Sequence, residues 1–117
     1  MIEVVGTDEF EAWYVGLDKQ DTEAVDFVVE LLVARGVTLG FPHSGAIKGA
    51  SFALRELRAQ SGGKPLRVFY AFDATRQAVL LLGGDKTGDD RFYERMVKDC
   101  EGIWKKYLEE LQSGSES

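Results

Sequence analysis

Apolar residues change their spacing several times along the 117-residue chain, and each change predicts an element. Residues 2–5, IEVV, form a short apolar run that suits a strand. From Thr7 onward the spacing becomes helical. Phe10, Trp13, Tyr14 and Leu17 fall on one stripe of a helix through residue 17, with Thr7 or Asp8 as its cap and Glu11 in its first turn. Ala24, Phe27, Val28, Leu31 and Leu32 repeat that spacing and predict a second helix from Asp21 to Arg35, which Gly36 can end in a left-handed conformation. VTLGFPHSGAIKGAS, rich in glycine, reads as a loop.

Three strands follow, over 52–59, 66–73 and 78–83, with QSGGKP and DATRQ as the turns between them. The third, AVLLLGG, is apolar throughout and reads as a central strand, although such a run also fits a buried piece of helix. A last helix begins near Asp89, where Asp89 or Asp90 caps it. Its stripe is Phe92, Met96, Cys100, Ile103, Tyr107 and Leu111. The order is β-α-α-β-β-β-α. It predicts an α+β fold: an antiparallel meander with helices packed mainly on one face and part of the other face open. One domain is expected over 1–111, with a frayed tail over 112–117.

Pairing the first two meander strands around residues 60–65 sets 56 against 69, 57 against 68 and 58 against 67. Side chains alternate along a strand. Leu57, Val68, Tyr70 and Phe72 then share a core face, while Glu56, Arg58, Arg67 and Phe69 share the open one. The next pairing sets Arg67 beside Gly83, where a missing side chain leaves a hollow for a ligand. Like charges directly opposite each other are unfavourable, so Arg58 and Arg67 ask for an anion between them. Two readings stand. A phosphate is gripped by the two guanidinium forks, with Phe69 stacking on a base. Alternatively, Glu56 itself is the anion of an Arg–Glu–Arg network that takes no ligand.

Charge sharpens this picture. The net charge is −6, yet it is uneven. Residues 1–47 hold two bases and nine acids, and residues 48–98 ten bases and six acids. A basic middle on an acidic body suits a local anion site rather than broad, non-specific binding to nucleic acid. The basic residues Lys48, Arg55, Lys64 and Arg91, with Phe69, are the candidate contacts for such a phosphate-bearing ligand. The opening MIEVVGTDEF has no cationic stretch followed by an apolar run, and no apolar run is long enough to span a membrane. With the single Cys100 no internal disulfide can form, so a soluble cytoplasmic protein is expected.

Residues 47–96 also carry a family likeness. LRELR, a glycine-containing turn, LRVFYAF, an apolar strand ending in GGDK, and a last helix opening with FY resemble the phage-derived HigB-like branch of the RelE/ParE toxin superfamily; EFEAW extends the likeness toward the N-terminus. The resemblance implies a compact α+β toxin with a cognate antitoxin partner, often a helix-turn-helix protein, and cleavage of messenger RNA, in many relatives on the ribosome and without a metal or other cofactor. The implied chemistry is attack of a ribose 2′-hydroxyl on the adjacent phosphate, which needs a base, an acid and positive charge on the phosphoryl oxygens. By position, Arg58 and Arg67 resemble the phosphate-stabilising residues, Lys86 a further basic residue and Tyr93 a functional tyrosine. Glu56 is a candidate base, although neighbouring arginines weaken a carboxylate in that role. Relatives with a lysine pair on the first meander strand differ from this chain, where Leu54 and Glu56 stand, and His43 is the lone histidine. A non-catalytic binding module of the same fold and a ParE-like toxin directed at a topoisomerase are the alternatives.

Overall fold

The computed structural model describes residues 1–116. Its elements are β1 (Val4–Gly6), α1 (Asp8–Val15), α2 (Lys19–Arg35), β2 (Ser44–Ala46), β3 (Arg55–Ser61), β4 (Lys64–Phe72), β5 (Ala78–Asp85) and α3 (Phe92–Glu116). Thr7 caps α1 by accepting from the Phe10 amide, Asp18 caps α2, and Asp89 accepts from the Arg91 amide ahead of α3. α3 is continuous through residues 112–116, which the sequence marks as a frayed tail; Ser117 of that tail lies outside the described residues.

The strands form one five-stranded sheet in the order β1-β5-β4-β3-β2. The meander β3-β4-β5 is antiparallel, as expected, and AVLLL is an interior strand flanked on both sides. Two features go beyond the sequence reading. β1 joins the edge of the sheet parallel to β5, and Ser44–Ala46, inside the expected loop, pairs with β3. A three-residue strand is too short to show alternation, which is why β2 has no visible signal.

The β3–β4 connection is shorter than QSGGKP suggested. Ser61 pairs with Lys64, leaving only Gly62 and Gly63, both at positive φ (56° and 84°). Two left-handed residues match the twist of a tight hairpin, and glycine takes that conformation without strain. Shortening the loop by two residues on each side preserves the register, so Arg58 does face Arg67 and Glu56 faces Phe69.

α1 and α2 cover one face of the sheet, over Leu57, Val68, Tyr70 and Leu80. α3 lies on the other, over Leu54, Phe69, Val79 and Leu81. The face expected to stay open is therefore covered along its apolar part. Leaving Phe69 and Leu81 exposed would forfeit about 2 kcal/mol each. The charged end, at Glu56, Arg58 and Arg67, lies under the first turn of α3, where Tyr93 meets Glu56.

A buried cluster ties α2 to the hairpin. Asp21 accepts from Ser61 Oγ at 2.5 Å and pairs with Lys64 Nζ at 2.6 Å. The Lys64 ammonium, then the Ser61 hydroxyl, hold the Asp21 carboxyl below its usual range. Such a depressed carboxyl contributes stability above its unfolded pKa and loses it as pH falls through its folded one. Asp21→Asn is expected to lower the melting temperature at pH 7, with the gap to the wild type closing toward pH 3; a gap that stays constant across a pH series of thermal melts would refute the coupling.

Candidate functional site

The charged end of the sheet is built around one carboxylate. Glu56 is only 4 % exposed, because α3 begins directly over it. Its Oε1 accepts from the Tyr93 hydroxyl at 2.7 Å, and its Oε2 accepts from Arg58 Nε at 3.2 Å. Arg67 Nε lies 3.4 Å from Oε1 but without an aligned hydrogen bond, and among the described residues that N–H is buried with no hydrogen-bond partner. The opposed arginines are thus reconciled by an anion from β3, the strand of Arg58. The Arg–Glu–Arg network of the second sequence reading is formed.

The arginines differ in access. The Arg67 side chain is 11 % exposed and donates from Nη1 to its neighbour's carbonyl at Leu66, whereas the Arg58 side chain is 31 % exposed. The expectation of an outward-facing Arg67 is corrected: the start of α3 seals it. Arg58 leans over β2 and donates to the Pro42 carbonyl at 3.4 Å. Its guanidinium fills the space a side chain at Gly45 would occupy, so this approach requires glycine there.

Tyr93 and Lys86 complete the cluster. Lys86 Nζ stands 5.3 Å from the centre of the Tyr93 ring, a cation–π distance. Burial, followed by the hydrogen bond to Glu56, raises the Tyr93 pKa above its ordinary value, with Arg67 opposing. Tyr93 therefore keeps its proton at neutral pH. It can give a hydrogen bond or a proton, and it cannot serve as a base.

The other sequence candidates scatter. Phe69 is fully buried between Phe92 and Tyr93, at ring separations of 5.8 and 6.1 Å, so it has no free face for a base; its proposed stacking role is corrected. The hollow is corrected as well. A bulge at Leu81 shifts β5 by one residue, so Arg67 faces Gly84 rather than Gly83. The space beside Gly84 is filled by Met96 and Phe92 of α3, and that beside Gly83 by Trp13. Arg55 points to the opposite face, where it donates to Tyr70 and Ser44. Lys64 is held by Asp21. Arg91 is exposed just ahead of α3. Lys48 does approach the cluster: with Gly49, Val97 and Lys98 it lines an open groove of about 390 Å³ that runs up to Tyr93. Cys100 is buried in the α3 core, which pushes its thiol up to about 12, outside the reactive range.

Sequence comparison decides the family. The family described as phage-derived protein Gp49-like matches residues 12–105. The chain belongs to this Gp49-like family. A protein of Mycobacterium tuberculosis (strain ATCC 25618 / H37Rv) ascribed the name toxin HigB3 is 36 % identical over 91 residues, covering 76 % of this chain and 78 % of its own. A second protein of that strain, ascribed the name toxin HigB2, is 31 % identical over 108 residues, which is 90 % of this chain but only 54 % of that longer relative. The Gp49-like chain is thereby a HigB-like member of the RelE/ParE superfamily, as its sequence motifs indicated. None of the helices among its described residues is long and apolar enough to cross a membrane.

Proposed function

We propose that this Gp49-like protein is the toxin of a type II toxin–antitoxin pair, neutralised by a helix-turn-helix antitoxin, and that it cleaves messenger RNA in the cytoplasm without a metal. The likeness to two toxin-named relatives supports the first part. The observation that carries the second is that Arg58 and a protonated Tyr93 meet on one carboxylate, with Lys86 over the Tyr93 ring.

In this reading the ribose 2′-oxygen bonds to phosphorus as the bond from phosphorus to the 5′-oxygen breaks. Arg58 neutralises the phosphoryl oxygens through the edge it leaves exposed, and Lys86 adds charge from over the Tyr93 ring. Tyr93 gives its proton to the departing 5′-oxygen. Glu56 and Arg67 hold these groups in place from behind. Glu56 is buried beneath its partners, so the 2′-hydroxyl proton leaves to solvent. A site one group short suits action on the ribosome, where the substrate's surroundings complete it.

The closed state of the network favours a second reading, a partner module that keeps the fold without catalysis. Induced expression in a bacterium separates the two. Cleaved transcripts carrying 2′,3′-cyclic phosphate ends support the nuclease. Intact transcripts with normal growth support the module, and DNA damage with intact RNA points to a topoisomerase target. Tyr93→Phe keeps the ring under Lys86 and removes the proton; it is expected to slow cleavage about 100-fold with unchanged RNA affinity.

A further inference from the structure

The residue proposed from sequence to stack on a base is buried, yet the loop that meets Arg58 carries an exposed aromatic ring. Phe41 is 90 % exposed, and it directly precedes Pro42, whose carbonyl accepts from the exposed edge of Arg58. The loop is held in place at its base. The His43 and Ser44 amides both donate to the Gly40 carbonyl at 3.1 Å, and the His43 carbonyl accepts from the Arg58 amide at 2.8 Å. The His43 ring packs edge-on against Phe27 at 6.0 Å. A bare phenyl ring is thus carried on an anchored turn one residue from the accessible guanidinium.

Charge sorts what this surface accepts. Phe27 lies between exposed Glu23 and Glu30, one helical turn to either side on α2, so that flank repels phosphate. Cationic charge is left at Arg58. An apolar ring next to one accessible cation, with acids on the far flank, matches a nucleotide whose base covers the ring while its phosphate meets the guanidinium. An aromatic face accepts any base, so the contact adds affinity and register with little sequence choice.

Resting on the RNA-cleavage reading, we propose that Phe41 is the stacking platform for the nucleotide whose phosphate meets Arg58. The probe is a mixed-sequence single-stranded RNA decamer, 2′-O-methylated throughout so that it cannot be cut, followed by fluorescence anisotropy at low salt. Phe41→Ala is expected to weaken binding about ten-fold, and Phe41→Trp to restore it. An exposed ring carries no core packing, so thermal melts of both variants should match the wild type. Wild-type affinity in Phe41→Ala alongside weakened binding in Arg58→Ala overturns the platform and spares the RNA reading. A wild-type protein that does not bind the decamer, on or off the ribosome, removes the RNA reading and this inference with it. Unchanged RNA binding in a Phe41→Ala variant that has lost neutralisation by its antitoxin assigns the ring to a protein interface and also overturns the proposal.

Discussion

Arg67→Ala is expected to cost about 3 kcal/mol of folding stability, lowering the melting temperature by roughly 10 °C. The reason lies in what remains. Glu56 would be left at 4 % exposure with Tyr93 and one half-open arginine for company. Removing one partner of a buried pair leaves the other charge uncompensated, and that desolvation is the main loss. Adding Glu56→Gln should recover part of the stability, because the amide oxygen still accepts from Tyr93 and no charge is stranded. The two substitutions together would then cost less than their sum. Thermal melts by circular dichroism give the answer; an Arg67→Ala protein that melts with the wild type would mean that Arg67 and Glu56 are not coupled.

Arg58→Ala should do the reverse, with the fold kept and the reaction lost. Arg58 is the more exposed of the pair, and its ion pair is worth about 1 kcal/mol or less at such a position. In the proposed reaction it supplies the charge that meets the phosphoryl oxygens, and losing a donor of that kind slows catalysis by about 10²–10³-fold. The measurement is transcript cleavage at matched protein levels, set beside the melting temperature. Lysine at this position retains charge without the planar fork and should recover only part of the rate. Full activity in Arg58→Ala would remove the phosphate-binding assignment from this end of the sheet.

The sequence carried the meander because the alternation in LRELR and LRVFYAF is regular and two glycines mark the turn. It also placed Glu56, Arg58 and Arg67 on one face, since pairing around a short loop leaves little freedom of register. Access was not legible. Whether Arg67 faces water depends on where α3 crosses the sheet, and a helical stripe says which side of the helix is buried, not what it lies upon. The same gap misplaced Phe69: alternation put it opposite Glu56, but only the position of Phe92 and Tyr93 shows that its ring is covered. The one-residue error at Gly83 came from the bulge at Leu81, which an unbroken apolar run conceals. Phe41 carried no pattern at all, because a lone aromatic in a loop has no periodicity to mark it.

The place of β1 bears on how the protein is made. Its partners are Ala78, Val79 and Leu80, far along the chain, so β1 must wait outside the ribosomal tunnel until more than seventy further residues have followed. Until then the nascent chain holds an unmatched strand, and closing so long a loop slows folding relative to the hairpin. Tyr93 emerges later still. A newborn molecule therefore cannot assemble its charged cluster while the ribosome that makes it is still elongating through these segments.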